Sequence, residues 1–238
     1  MPRLREKGPA GGGGGVRVAV FDLDGTLADT SADLIAAANA ALAEGGWGAP
    51  LDAVADRVVA FAGGRAMLRA GLERRLGAWE AAQVEAAYPR LLAHYEASID
   101  RHTRTYAGVE PALDALAAEG WGLAICTNKP AALAELLLGR LGLRQRFRAM
   151  LGADSLDVRK PDPRHLLETI ARAGGAPGRS VLVGDTATDR DAARAAGVAC
   201  VLVSFGPEGR AVEALGPEAL LDDFAALPAL LERMVPGP

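Results

Sequence analysis

The sequence predicts an α/β protein built on a doubly wound parallel sheet, with a helical segment inserted after the first strand. Five short apolar runs of strand length lack the alternation of half-exposed strands, which indicates strands buried on both faces. Helix-period segments separate most of these runs, and such alternation favours right-handed crossovers in a parallel sheet. One gap between strands spans roughly 100 residues, far more than a single crossover needs.

The strand predictions depend on apolar runs that end in polar residues or glycine. They are Val16–Leu23, Gly122–Thr127, Arg148–Gly152, Ser180–Gly184 and Ala199–Phe205. Helices are predicted at Glu110–Glu119, from Pro130 to a stop at Gly142, at Pro163–Arg172 and at Asp189–Ala196. Proline suits a helix start because the N–H that it lacks has no partner there. The predicted core is therefore Rossmann-like.

The long gap is predicted to contain three helices that cover the carboxyl ends of the strands. These helices are Ala32–Glu44, Arg65–Leu76 and Glu80–Asp100. The sequence thus predicts a flexible leader at 1–15, an α/β core domain formed by 16–27 and 107–238, and a helical cap domain at 28–106.

Composition excludes some classes of partner. The 238 residues carry a net charge of −4, so neither nucleic acid nor an anionic membrane is an expected partner. No apolar run reaches the ~18 residues that span a bilayer, and no apolar stretch follows the basic N-terminal residues as in a signal peptide. Cys126 and Cys200 lie in apolar runs and are predicted to be buried free thiols, which fits a cytoplasmic protein. Monomer and dimer both remain open.

The end of the first predicted strand carries two carboxylates, Asp22 and Asp24, followed by Gly25. At the end of the strand, where the chain turns, both side chains can converge on one small site. Glycine permits a tight turn there. Two gathered carboxylates are costly unless a cation or a proton joins them. The segment therefore predicts a site for a divalent metal beside a possible nucleophile.

Polar groups also follow the other predicted strands. Thr127 and Asn128 end the second, Lys160 follows the third, and Asp185 and Asp189 follow the fourth. An open parallel sheet brings these ends to one edge. Carboxylates and main-chain oxygens suit Mg²⁺, whereas lysine and N–H donors suit phosphate. The sequence therefore predicts a site for both.

These segments resemble a known family. In order, Asp22-Leu23-Asp24-Gly25-Thr26, Thr127-Asn128, Lys160-Pro161 and Gly184-Asp185 with Asp189 resemble the four motifs of the haloacid dehalogenase superfamily. The similarity covers nearly all of residues 16–205. Cys126 to Pro130 and the segment from Val183 to Gly197 look like its phosphoglycolate phosphatase branch.

The resemblance implies catalytic roles for two carboxylates. Asp22 would attack phosphorus and form an aspartyl-phosphate. Asp24 would protonate the leaving alkoxide and then take a proton from the hydrolytic water. Mg²⁺ would bind the Asp22 carboxylate, the main-chain carbonyl of Asp24 and Asp185, with Asp189 as an auxiliary metal residue.

The resemblance also implies how phosphate and substrate would be held. Lys160 would offset the repulsion between the anionic nucleophile and the phosphate. Thr127 and the N–H of Asn128 would bind phosphate oxygens. In the cap, the residues themselves, Gly63-Gly64-Arg65, suggest a substrate loop in which the arginine reads a carboxylate through two N–H donors. A surface arginine after a helix-breaking turn is the alternative.

The expected activity is Mg²⁺-dependent hydrolysis of a small phosphorylated metabolite, with phosphoglycolate as the leading substrate by resemblance. Two alternatives remain open. A sugar-phosphate phosphatase or phosphomutase would use the same scaffold. A receiver-like signalling module would also phosphorylate an aspartate, but it has no large insertion after its first strand and no need of Asp24 as an acid.

Overall fold

The computed structural model describes residues 15–237, so the predicted leader lies outside the described residues except for Gly15. Within residues 15–237, eight strands form two sheets. They are β1 (Val16–Phe21), β2 (Ala28–Asp29), β3 (Arg104–Thr105), β4 (Gly122–Cys126), β5 (Ala149–Leu151), β6 (Gly175–Gly184), β7 (Ala199–Val203) and β8 (Ala219–Leu221). Six of them form a sheet in the order β5-β4-β1-β6-β7-β8, and every neighbouring pair is parallel. The predicted fold class is confirmed.

Helices cover this sheet and fill the insertion. They are α1 (Ser31–Glu44), α2 (Arg57–Phe61), α3 (Gly64–Leu76), α4 (Ala81–Ala97), α5 (Val109–Ala118), α6 (Ala131–Arg140), α7 (Pro163–Arg172), α8 (Ala187–Ala196) and α9 (Leu227–Met234). Short 3-10 turns lie at Arg144–Arg146, Gly209–Leu215 and Phe224–Ala226. None of the helices in the described part of the chain has the length and apolarity that a membrane crossing requires.

All five predicted strands are present, but several boundaries differ and several short elements, including β2 and β3, were not predicted. Strand β6 begins at Gly175 rather than Ser180, since Gly175 pairs with Val16 across a register shift. Its first residues include glycine and proline, which are typical of turns. The short elements β8 and α2 were not predicted, and neither was α9. Helix α8 begins at Ala187, two residues early, because Thr186 and Asp189 form a capping box.

Apolar residues pack on both faces of the parallel sheet. Val18 and Val20 belong to one cluster, whereas Ala19 and Phe21 belong to the other, and all four are fully buried. This alternation along one strand shows that β1 is central and covered on both sides. Cys126 and Cys200 are buried free thiols, as predicted.

The inserted segment leaves and rejoins the core at one place. Strands β2 and β3 pair antiparallel, with Ala28 opposite Thr105 and Asp29 opposite Arg104. Helices α1 to α4 lie between these two strands in the chain. Both ends of the insertion therefore meet beside the carboxyl end of β1. The assignment of this segment to a separate cap domain stays a prediction.

Candidate active site

The turn after β1 places two of the predicted carboxylates. The Asp22 N–H donates to the Val183 carbonyl at 2.9 Å, which holds the strand end against β6. Gly25 then turns the chain with a φ of 84°, a conformation that costs little only for glycine. A Cβ atom at Gly25 would lie 2.2 Å from Asp185 Oδ2. The turn therefore needs glycine for its conformation and for its close approach to Asp185.

Three carboxylates gather at this edge of the sheet. Asp22, Asp185 and Asp189 each offer an oxygen, and these oxygens all lie within 4.8 Å of one another. Asp185 Oδ2 is buried and accepts no hydrogen bond from the described residues, and the buried Asp22 Oδ1 has only the ion pair with Lys160, without hydrogen-bond geometry. Buried carboxylate oxygens without donors suit a hard cation. The residues that are present therefore fit Mg²⁺.

The crowding of these carboxylates changes their acidity. Burial raises the pKa of Asp22 to about 6, although Lys160 opposes the shift. Burial also raises the pKa of Asp185 well above its ordinary value, and the charges of Asp189 and Asp22 add to this effect. Both shifts mean that the protein disfavours the second and third negative charges at this place. A cation would relieve that cost.

Lys160 supplies a positive charge on the core side of the site. Its Nζ atom lies 3.0 Å from Asp22 Oδ1 and 2.6 Å from Asp189 Oδ1, and the side chain is 1% exposed. Burial alone would lower the pKa of Lys160, but Asp189 and Asp22 outweigh burial and raise it. The lysine therefore stays charged beside the predicted nucleophile.

Asp189 and Asp185 differ in how their oxygens are used. Asp189 Oδ1 accepts from Lys160, and Asp189 Oδ2 accepts from the Thr186 hydroxyl at 2.8 Å. Asp185 Oδ1 accepts from the Thr26 hydroxyl at 2.9 Å, which leaves Oδ2 without a donor. Asp185 Oδ2 is therefore available to a metal, whereas both Asp189 oxygens already accept hydrogen bonds, and the auxiliary metal role of Asp189 stays a prediction. No separate role was predicted for Thr26.

The end of β4 lies beside the same lysine. The Asn128 side chain donates to the Lys160 carbonyl at 2.9 Å, which ties the second motif to the third. The Thr127 hydroxyl accepts the N–H of Lys129 at 3.2 Å, and Thr127 is 1% exposed. Both residues line a cavity that also contains Asp22 and Asp24. The structure thus brings Asp22, Asp24, Thr127, Asn128 and Lys160 together.

Asp24 has partners that sequence reasoning missed. Its carboxylate accepts from Lys129 Nζ at 2.8 and 3.0 Å and from the Thr30 hydroxyl at 2.7 Å. Lys129 also donates to the hydroxyl of Tyr95, a residue of α4, at 2.8 Å. Burial would lower the pKa of Lys129, but Asp24 and Tyr95 outweigh it and raise the pKa to about 12. A lysine directly after Thr127 and Asn128 was the signal in the sequence.

In the described part of the chain, two neighbouring cavities lie at this edge of the sheet and share part of their lining. The inner cavity, of about 150 Å³, has a core wall with Asp22, Asp24, Thr127, Lys129 and Lys160. Its other wall comes from the insertion and includes Leu34, Phe61, Tyr88, Leu91, Leu92 and Tyr95. The outer cavity, of about 570 Å³, shares Asn128 and Lys160 with the inner one and opens past Arg65, Arg69 and Arg159.

The predicted substrate loop lies between these cavities. Gly64 lines both of them, and Arg65 lines the outer one. Arg65 donates from Nε and Nη2 to the two carboxylate oxygens of Glu85, each at 2.8 Å, and its guanidinium lies 3.7 Å from the centre of the Tyr88 ring. Two of its donors are therefore already used. The role of Arg65 in reading a carboxylate stays a prediction.

Comparison with known proteins identifies the family. The family model described as haloacid dehalogenase-like hydrolase matches residues 19–203, so the chain belongs to that family. It is 42% identical over 219 residues to the phosphoglycolate phosphatase of Agrobacterium fabrum, covering 92% of this chain and 94% of the relative. The phosphoglycolate phosphatase of Mesorhizobium japonicum is 41% identical, covering 92% and 96%.

A solved structure shows the same architecture. A predicted phosphoglycolate phosphatase from Haemophilus somnus superposes with a TM-score of 0.81 at 26% identity, covering 90% of this chain and 97% of that chain. Within its family, the chain therefore falls in the phosphoglycolate phosphatase-like branch and is a phosphatase enzyme. The signalling-module alternative is thereby excluded.

Proposed function

We propose that the protein is a Mg²⁺-dependent hydrolase of small phosphomonoesters that acts through an aspartyl-phosphate on Asp22, with phosphoglycolate as its leading substrate. The observation that carries the proposal is the pairing of Asp22 with a buried, charged Lys160 at the floor of the inner cavity. A carboxylate beside a cation, at the end of a central strand, can approach an anionic phosphate that would otherwise repel it.

The proposed reaction has two balanced steps. A carboxylate oxygen of Asp22 forms a bond to phosphorus while the bond from phosphorus to the ester oxygen breaks, and Asp24 gives its proton to that leaving oxygen. Water then attacks phosphorus as the bond to Asp22 breaks. Asp24 takes the proton of that water, which returns both carboxyl groups to their starting states and releases inorganic phosphate.

The polar groups of the core wall divide the remaining work. Asp22, Asp185 and the Asp24 carbonyl would hold Mg²⁺, which when bound supplies positive charge against the phosphate oxygens. Lys160 supplies charge from the other side, and Asp189 keeps it in place. The Thr127 hydroxyl and the Asn128 N–H are the proposed donors to the phosphate oxygens.

The size and lining of the inner cavity support a small substrate. A volume of about 150 Å³ accommodates a phosphoryl group with a few further atoms. Leu34, Leu91 and Leu92 would exclude water around the reacting atoms, as a cap over the site would require. The relatives that are named phosphoglycolate phosphatase favour a two-carbon acid as the alcohol portion.

Phosphate release from a panel of small phosphomonoesters tests the proposal. We expect the highest kcat/KM for phosphoglycolate, loss of activity when a chelator removes the metal, and recovery when Mg²⁺ is added back. Formation of an isomer from a hexose phosphate, without release of phosphate, would instead support the phosphomutase alternative. Full activity in the chelator would contradict the metal requirement, and a preference for a neutral sugar phosphate would contradict the substrate assignment.

A further inference from the structure

Lys129 is a buried cation with no task in the reaction described above. It lies in the loop between β4 and α6, and its side chain is 3% exposed. An ammonium group has three N–H donors. Two contact the carboxylate oxygens of Asp24, at 2.8 and 3.0 Å, and the third direction meets the hydroxyl of Tyr95 at 2.8 Å. With all three directions taken, the ammonium group is held in one orientation.

The partners of Lys129 come from both sides of the inner cavity. Asp24 follows β1 in the core, whereas Tyr95 lies on α4 of the inserted segment and is 2% exposed. The Tyr95 ring also lies under the lysine, with Nζ 4.3 Å from the ring centre. Taking a lysine out of water is costly unless such partners compensate it. The arrangement therefore links the insertion to the carboxylate that moves the proton.

We infer that Lys129 is a positioning residue for Asp24 and that Tyr95 orients Lys129 from the inserted segment. The inference depends on the proposed function, in which Asp24 protonates the leaving oxygen. Together with the Thr30 hydroxyl at 2.7 Å, Lys129 fixes the direction of the Asp24 carboxyl group. A proton donor acts only within hydrogen-bond reach of the oxygen that it protonates. An Asp24 carboxyl group that is no longer held in this direction would therefore protonate the leaving oxygen less effectively.

The dependence on the leaving group tests this role. An alkyl phosphate needs a proton for its leaving oxygen, whereas p-nitrophenolate departs without one. The ratio kcat/KM reports the steps up to this departure and excludes later hydrolysis of the phosphoenzyme. We expect Lys129→Met to lower kcat/KM for phosphoglycolate on the order of 10²-fold, but that for p-nitrophenyl phosphate less than about threefold.

Tyr95→Phe is the second variant, since it removes a single oxygen and keeps the buried ring. We expect the same selective loss on the alkyl phosphate, of about 3- to 10-fold, with an unchanged circular dichroism spectrum. In an Asp24→Asn background, Lys129→Met should cause no further loss on the alkyl phosphate, because the two residues act as a unit. Arg164→Met removes the same charge from the surface of α7 and should leave both substrates unaffected.

Three results would overturn the inference. Equal losses on both substrates would assign Lys129 to phosphate binding or to the fold. A rise in KM for phosphoglycolate at unchanged kcat would assign it to the substrate carboxylate. Additive losses in the double variant would separate it from Asp24. A wild-type enzyme that hydrolyses no phosphomonoester would instead contradict the proposed function, so the two failures are distinguishable.

Discussion

The two walls of the inner cavity are built in different ways. On the core wall, Asp22 directly follows β1 and Lys160 lies in the connection between β5 and α7, and their charges contact each other. On the wall from the insertion, leucine and tyrosine side chains on helices close the space. Arg65 faces the outer cavity, where Glu85 occupies two of its donors.

This difference predicts where the protein tolerates substitutions. The position of a core-wall group is set by the backbone of the sheet edge, which cannot shift without disturbing β1 and its neighbours. The position of an insertion-wall group is set by side-chain packing, which can adjust. We therefore expect substitutions on the core wall to cause large losses in kcat. Substitutions on the wall from the insertion should cause small changes in substrate selectivity.

The largest effect is expected from Asp22→Asn. An amide is a far poorer nucleophile than a carboxylate, so activity should fall on the order of 10⁴-fold or more on every substrate. The variant should also lose much of the rise in melting temperature that Mg²⁺ gives the wild type, because one proposed ligand is weakened. Asp162→Asn makes the same chemical change at the N-cap of α7, where asparagine caps equally well, and should leave both readouts unchanged. Turnover by Asp22→Asn at the wild-type rate would remove the nucleophile assignment.

A matched pair of glycine substitutions compares the two walls directly. Gly25→Ala places a Cβ 2.2 Å from Asp185 Oδ2 at a φ of 84°, so the carboxylate must leave its position. We expect a loss in kcat on the order of 10²-fold.

Gly64→Ala is the counterpart on the insertion wall. Its Cβ would lie 2.9 Å from Cε2 of Tyr88, a half-buried side chain that can turn aside. We expect a change in KM of less than about fivefold and little change in kcat. Equal losses for the two variants in steady-state assays would mean that both walls are equally rigid.

The smallest effect is expected from the arginine at the outer cavity. Arg65→Ala should lower kcat/KM for phosphoglycolate about 2- to 5-fold and that for a neutral phosphomonoester less, because two of its donors are held by Glu85. Glu85→Gln is the informative partner, since it weakens that pair and should raise kcat/KM for the acidic substrate. Equal changes on acidic and neutral substrates would show that Arg65 does not read a carboxylate.

The core wall could be predicted from the sequence because its signals are local. Asp22, Lys160 and Asp185 each follow an apolar run, and the carboxyl ends of parallel strands meet at one edge. The strand β8 escaped prediction because three residues carry no periodicity and gain their conformation by pairing with β7. The start of β6 was missed because pairing with β1 overrides the turn preference of glycine and proline.

The contacts between the walls could not be predicted. Lys129 lies 105 residues after Asp24 and 34 residues after Tyr95. No local sequence pattern indicates which turn of α4 faces the carboxyl ends of the strands, so the contact with Tyr95 could not be predicted. The pairing of Arg65 with Glu85 across α3 and α4 is of the same kind. Such contacts depend on how helices pack, which is decided by the whole insertion.

The short pairing of β2 with β3 separates the inserted helices from the rest of the chain. Ala28 and Thr105 are cross-strand neighbours, so a linker of a few residues would join them directly. The chain could thus pass from β2 to β3 without helices α1 to α4. A different inserted segment could occupy the same two connection points. The length and sequence of the inserted segment can therefore vary while the strand ends that carry Asp22 and Lys160 keep their positions.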